Sequence, residues 1–329
     1  MSKKVLITGA TGFVGYHLIA QALQAGLEVV AAVRPGTSRA HLKAFDISYV
    51  ELNYASVADL RDTLEKYQFH YIIHAAGITK AKTREQYERV NAEFTRNLAT
   101  AATEAKIPLE KFVFVSSLAA LGPLADLSAC ISDEMTGQPV TQYGASKLKA
   151  EQYLSELPEL PLIVIRPTAV YGPREKDIFI LFKSIKQGIE PYIGSFQQQL
   201  SFIYVTDLAE IIIKSLFAEV RGRTYNISDG QFYDRYTLGR LIRKSLGKRT
   251  LRFHLPVSIV GALARIMDFL YRNRKDTPAL NKEKMAELTA VNWYCDISRA
   301  KADLNFQPRY NLEKGIAETV AWYRENHWL

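Results

Sequence analysis

Short apolar runs rich in β-branched residues alternate with longer stretches in which apolar positions recur at helical spacing. In the first half of the chain, 5–8, 27–33, 48–52, 71–74, 111–115 and 162–165 read as strands. The stretch after Gly15, 56–67, 84–106 and 142–157 read as helices, with Val90, Phe94, Leu98, Ala101 and Ala102 sharing one face of the third. Strict alternation of this kind predicts an α/β fold with a doubly wound parallel sheet and right-handed crossovers. Ligands of such sheets sit beyond the carboxyl ends of the strands.

After Pro167 the rhythm loosens. Helices are expected at 177–188, 208–218, 237–246, 256–271 and 312–325, and strands at 200–205 and 225–228. This pattern predicts a dinucleotide-binding domain over 1–167, rejoined by a segment at about 200–222, and a smaller mixed α/β substrate lobe over 168–329. No internal repeat or flexible linker interrupts it.

The first strand leads into Gly9, Gly12 and Gly15, and a helix follows. Glycine lets the backbone turn sharply and lets a pyrophosphate approach the helix N-terminus, where free N–H groups and the dipole favour negative charge. A Rossmann-type cradle is predicted, with Gly9, Thr11, Gly12, Phe13, Val14 and Gly15 against the cofactor. Ala75, Ala76 and Gly77 would face it from the end of the fourth strand. At the end of the second strand, where an acid would meet the ribose 2′-hydroxyl of NAD, the chain has Arg34. Arginine grips phosphate, and Ser38 and Arg39 lie within reach, so NADP is expected, with NAD as the alternative.

Composition narrows the classes. Of 329 residues, 48% are hydrophobic and 23% charged, as in a globular enzyme. The two cysteines, Cys130 and Cys295, are too far apart for a disulfide framework, which fits a reducing cytoplasm. The six histidines lack metal-ligand spacing, so no metal is expected. The net charge of +8 is spread along the chain among acids and predicts no nucleic-acid partner. The apolar run after Lys3 and Lys4 is too short for a secretory leader, and no stretch is long enough to span a bilayer.

Tyr143 and Lys147 lie four residues apart at the start of a helix, on one face. A neighbouring ammonium stabilises a phenolate, so a lowered tyrosine pKa and an acid/base role are expected. Ser117 ends the fifth strand, with Ser116 as the adjacent alternative. A hydroxyl there can hydrogen-bond a reacting oxygen as charge develops on it.

With these residues in view, the chain resembles the extended short-chain dehydrogenase/reductases, or NAD-dependent epimerase/dehydratase family. The resemblance rests on TGATGFVG (8–15), HAAG (74–77), VN…TRNL (90–98), FVFVSS (112–117), YGASKLKAE (143–151), RPTAVYGP (166–173), FIYVTDLA (202–209) and YNISDG (225–230). Residues 293–316 also fit. The resemblance implies that Tyr143 is the acid/base, Lys147 holds the nicotinamide ribose and Ser117 polarises the substrate oxygen. It also implies that Asn91 fixes a bend in its helix and supports a water relay, and that Pro167 and Val170 meet the nicotinamide. Asn53 stands where relatives carry an Asp against the adenine. Leu118-Ala119 replace the Asp-Glu pair of sugar-nucleotide dehydratases, and no Asn follows the sixth strand as in many epimerases. Both departures point to the dihydroflavonol-reductase and 3β-hydroxysteroid-dehydrogenase branch.

The expected function is hydride transfer between NADP(H) and a ketone or secondary alcohol of a small-molecule substrate. The alternatives are a nucleotide-sugar epimerase with retained NAD and a non-catalytic dinucleotide-sensing or RNA-binding protein. A homodimer through the helices at 84–106 and 142–157 is a family habit. The apolar stretch 255–275, closed by Arg272, Arg274 and Lys275, reads as a packing helix, a lid over a hydrophobic substrate, or a peripheral membrane contact.

Overall fold

The computed structural model describes residues 2–271, 278 and 281–329; Arg272, Arg274 and Lys275 lie outside them. Seven strands form the central sheet: β1 (Lys4–Thr8), β2 (Glu28–Val33), β3 (Ser48–Glu51), β4 (Tyr71–His74), β5 (Lys111–Val115), β6 (Leu162–Pro167) and β7 (Arg223–Ile227). Their spatial order is β7-β6-β5-β4-β1-β2-β3, with every pair parallel. The doubly wound sheet expected from the alternation is therefore present.

Helices α1 (Phe13–Gln24), α2 (Val57–Tyr67), α3 (Phe94–Glu104), α4 (Gln142–Ser155) and α5 (Val205–Phe217) cover the two faces. Side chains alternate across each strand, which explains why the strands read as unbroken apolar runs. Val5, Ile7, Ile73 and Val113 pack with Leu18 and Ile19 of α1 and Leu208 and Ile212 of α5. Leu6, Ile72, Phe112 and Phe114 pack on the opposite face with Leu60, Leu98 and Ala150 of α2, α3 and α4. From β1 the chain winds outward through β2 and β3, then returns to β4 on the other side of β1. The crevice at that reversal, above the carboxyl ends of β1 and β4, is where such a sheet accepts a ligand.

The helix expected over 84–106 is divided. A four-residue turn, Arg84–Tyr87, widens into a π-helical segment, Glu88–Glu93, before α3 begins. Farther on, the expected strand at 200–205 breaks at Ser201, because its two halves have different partners. Leu200 pairs with Tyr233 antiparallel, and Phe202–Tyr204 pairs with Ala169–Tyr171 in parallel. α5 begins at Val205, earlier than its apolar spacing suggests. Asp207 in its first turn accepts the backbone N–H groups of Arg309 and Tyr310, each at 2.9 Å.

The remaining chain builds a third core around Tyr171, Phe182, Ile242, Ile316 and Tyr323. It includes α6 (Val257–Leu270), α7 (Lys282–Thr289), α8 (Leu312–Glu325) and a parallel strand pair, Ile189–Ile193 with Leu251–Leu255. Alternating polar residues hide this pair in the sequence.

Candidate active site

Gly9 follows β1 with φ 69°, a conformation that costs glycine little. A Cβ there would lie 2.5 Å from the Ala75 carbonyl oxygen and 2.8 Å from the Ala76 nitrogen. A Cβ on Gly15 would lie 2.2 Å from the Gly9 carbonyl oxygen. The glycines therefore let β1, α1 and the end of β4 touch backbone to backbone. Gly12 heads α1, and no side chain caps the helix. The amides of Phe13, Val14 and Gly15 have no intrahelical acceptor, so the crevice offers an anion several N–H groups and a helix dipole.

Beneath the cradle runs a buried hydrogen-bonded chain. The Ala76 N–H donates to Thr8 Oγ1 at 3.0 Å, and Thr8 Oγ1 meets His74 Nδ1 at 2.8 Å. His74 Nε2 meets Thr95 Oγ1 at 2.9 Å, and Thr95 donates to the Asn91 carbonyl at 2.8 Å. Because the Thr95 proton is committed to Asn91, Thr95 accepts from Nε2–H, and Nδ1 accepts from Thr8. His74 is therefore a neutral imidazole. Burial, helped by the nearby Lys147 charge, pushes its pKa down to about 3.

Asn91 sits in the π-helical segment and is fully buried. Its Oδ1 accepts the Ile78 N–H at 2.8 Å, and its Nδ2 donates to the Ile78 carbonyl and to Ser146 Oγ, each at 2.9 Å. The amide thus clips the loop after β4 onto α4 from within the π-helical segment.

α4 starts at Gln142 under a Thr141 cap, whose Oγ1 accepts the Gly144 N–H at 3.0 Å. A Cβ on Gly144 would lie 2.2 Å from the Ala119 carbonyl oxygen, so only glycine lets α4 press against the turn after β5. This contact brings Ser117 to Tyr143. Ser117 Oγ accepts the Ala119 N–H at 3.2 Å and lies beside the Tyr143 phenol, whose pKa it lowers. Ser116 turns the other way and donates to Glu151, which pairs with Arg166 at 2.5 Å. Of the two serines, only Ser117 reaches Tyr143.

Lys147 is buried; its Nζ donates to the Val115 carbonyl at 2.9 Å and lies 4.7 Å from the Phe114 ring centroid. Its remaining protons have no acceptor among the described residues and border Gly77, where a Cβ would lie 3.4 Å from Nζ. Burial lowers its pKa to about 8, opposed by Glu151. The expected depression of the Tyr143 pKa is not found. Burial pushes that phenol up to about 12, Ser117 opposes the rise, and Glu287 and Tyr87 add to it. The ammonium is directed at Val115 and Phe114, so it does little for Tyr143 in the free protein.

Comparison with known proteins identifies the family. Residues 5–228 match the model of the NAD dependent epimerase/dehydratase family. The chain belongs to this family. It is 29% identical to a ceramide reductase of Caulobacter vibrioides over 329 residues, covering 99% of this chain and 96% of that one. It is 26% identical to a decarboxylating sterol-4-alpha-carboxylate 3-dehydrogenase of Candida albicans over 351 residues, covering 98% of each. The crystal structure of a UDP-glucose 4-epimerase of Thermotoga maritima with UDP-glucose superposes with a TM-score of 0.80 at 19% identity, over 98% of this chain and 99% of that one. Reductases, dehydrogenases and epimerases of this family are enzymes that act on small molecules with a nicotinamide dinucleotide. The backbone cradle, the uncapped α1 and the free protons of Lys147 fit that group.

The other positions expected to serve a family cofactor are distributed as follows. Arg34, just past β2, is exposed and makes no ion pair among the described residues. Arg39 instead pairs with Glu51 at 3.5 Å and lies over Tyr49, so it is not free for a phosphate. The Asn53 amide donates to Asp59 at 2.7 Å and its Oδ1 accepts the Ala55 N–H, an arrangement that supports the start of α2. Pro167 ends β6, and Val170 lies in the next short strand. Three contributors escaped the sequence reading. Glu283 of α7 accepts the Gln142 N–H at 2.9 Å, and Glu287 of α7 raises the Tyr143 pKa. Arg174, at φ 77°, stacks 3.9 Å over the Tyr16 ring beside the cradle and makes no ion pair among the described residues. The nearby glycine motif held no signal for any of them. Among the described residues no group of His, Cys, Asp and Glu could hold a metal, and no helix is long and apolar enough to cross a membrane.

Proposed function

We propose that the protein is an NADPH-dependent reductase of a ketone, or in reverse a dehydrogenase of the secondary alcohol, on an apolar substrate. The observation that carries this reading is the close packing of α4 on the turn after β5, which sets Ser117 beside Tyr143, one helical turn from a Lys147 with unclaimed protons. When bound, the dihydronicotinamide supplies the hydride. A phenol held up to about 12 is fully protonated at neutral pH, so Tyr143 can give its proton to the carbonyl oxygen. Ser117 donates a hydrogen bond to the same oxygen as its charge grows. Lys147 holds the ribose hydroxyls, and its charge, turned towards the site by those contacts, eases the release of the Tyr143 proton. Asn91 keeps Gly77 and α4 in register. Pro167 and Val170 line the nicotinamide end, and the 9–15 loop with Ala75 to Gly77 receives the pyrophosphate. Asn53 borders the adenine. The free guanidinium of Arg34 supports NADP over NAD.

The sterol and ceramide named for two relatives support an apolar substrate. We assign 1–167, with the return at about 200–222, to cofactor binding and the rest of 168–329 to substrate. The reading includes a cytoplasmic homodimer. The test is mass spectrometry of the purified protein, followed by NADPH consumption with long-chain and steroidal ketones. The expected result is cofactor lost on purification and ketone-dependent NADPH oxidation. Tightly held NAD, no net consumption and interconversion of UDP-hexoses would replace this reading with an epimerase.

A further inference from the structure

A surface helix normally turns polar residues to water. α6 does not. Its inner face packs Val260 and Ala264 against Met285 of α7. Its outer face carries Ile259, Leu263, Ile266, Phe269 and Leu270, which are 60%, 49%, 55%, 73% and 58% exposed. At helical spacing these five share one side, with Ala262 between them and no charge among them. Leu255, just before the helix, extends the same apolar surface. Contiguous patches of this kind mark interaction sites on monomeric proteins.

Cations outnumber acids in the chain that leads into and forms the helix. From Gly247 to Tyr271 the chain holds four cations, Lys248, Arg249, Arg252 and Arg265, against one acid, Asp268. Lys248, Arg249 and Arg265 are exposed and make no ion pair among the described residues. Arg265 is the one cation on α6, placed on the flank of the stripe, where a long side chain can reach a headgroup while its stem stays in apolar surroundings. At 14 residues, α6 is about 21 Å long, short of the roughly 30 Å hydrocarbon core. A helix of this length can lie in the boundary between headgroups and acyl chains but cannot span it.

We propose that α6 docks the protein on an anionic lipid bilayer, with the Ile259–Phe269 stripe in the acyl boundary and Arg265 on the headgroup phosphates. The docking also orients the enzyme. α7 is clamped between the two sites, with Met285 under α6 and Glu283 on the first N–H of α4, next to Tyr143. The active site thus lies one two-turn helix away from the lipid surface, and a membrane-borne substrate would have a short path to it. Membrane docking is independent of the reductase reading, because vesicle binding is measured without substrate or turnover.

The test is co-sedimentation of the full chain with sucrose-loaded vesicles, either phosphatidylcholine alone or phosphatidylcholine with phosphatidylglycerol. Wild type is expected to pellet with the anionic vesicles and to be released by high salt. Ile266→Glu with Phe269→Glu should lower the partition coefficient at least tenfold, and Arg265→Gln should weaken binding to anionic vesicles only. Both positions in the double variant are exposed, so thermal melting should match wild type. Light scattering across a protein concentration series, without lipid, covers the other occupant. Failure of wild type to bind either vesicle would overturn the proposal, and so would loss of self-association in the double variant, which would make this face a protein interface.

Discussion

Asn91→Ala is the sharpest probe of how the site is held. The side chain makes three hydrogen bonds from full burial: to the Ile78 N–H, the Ile78 carbonyl and Ser146 Oγ. Removing it leaves a donor and two acceptors without their partner. At about 1 kcal/mol net for each bond, the loss is about 3 kcal/mol. With about 2 °C per kcal/mol for a large domain, Tm should fall by about 6 °C. Activity should fall further than stability suggests, because the same amide fixes Gly77 and Ser146, the neighbours of Lys147 and Tyr143. A decrease in kcat of about tenfold to a hundredfold, with KM for the carbonyl substrate little changed, is expected for a displaced acid. Asn91→Asp should do no better. Its carboxylate keeps the Ile78 N–H but sets acceptor against acceptor at the Ile78 carbonyl. The assays are calorimetry of the cofactor-free protein and NADPH oxidation at saturating cofactor. If Asn91→Ala leaves both Tm and kcat unmoved, the π-helical clip does not position the site.

Four further outcomes rest on the same geometry. Because kcat/KM reports the free enzyme, kcat/KM for NADPH should fall as pH rises through about 8, where buried Lys147 loses its proton; a flat profile from pH 7 to 10 would contradict this assignment. The same depressed pKa makes the cofactor-free protein gain stability between about 8 and 10, because there the unfolded chain still binds a proton that the folded one has released. Above about 10 the sign reverses, since the folded state retains the Tyr143 proton that the unfolded chain releases. This bell is readable in urea midpoints. Gly15→Ala places a Cβ 2.2 Å from a backbone oxygen that cannot yield, so fluorescence titration should show at least a tenfold loss of dinucleotide affinity; retained affinity would mean the cradle can widen. Arg34→Asp should turn the NADP/NAD affinity ratio towards NAD by at least tenfold, and an unchanged ratio would remove Arg34 from the 2′-phosphate.

The sheet could be read from the sequence because its inner strands are buried on both faces. Strands such as Val5–Ile7 and Phe112–Val115 could only be apolar. The glycine spacing was equally plain, because Gly9 and Gly15 stand where any Cβ would strike backbone. Local spacing failed where distant segments decide. The π-helical segment at Asn91 looks like ordinary helix until Ile78 and Ser146 close around it. The strand pair Ile189–Ile193 and Leu251–Leu255 is half exposed, with polar residues interleaved among its apolar ones. Tyr143 and Lys147 share α4 one turn apart, but sequence spacing says nothing of Val115 and Phe114, on which the ammonium lies. α7, which brings Glu283 and Glu287 to the site, arrives from the far end of the chain, beyond any motif. Ser116 and Ser117 could be told apart only once Glu151 was seen to hold the first.

The central claim is that Tyr143 delivers a proton to a carbonyl oxygen while the dinucleotide is held by other residues. Its direct measurement is Tyr143→Phe, read by two instruments on one preparation: NADPH binding by fluorescence titration and ketone-dependent NADPH oxidation. The structure predicts that turnover falls by about a hundredfold to ten-thousandfold, as for loss of a general acid, while NADPH affinity stays within about twofold of wild type. Retained turnover would remove Tyr143 from the chemistry, and a parallel loss of NADPH affinity would make it a structural residue.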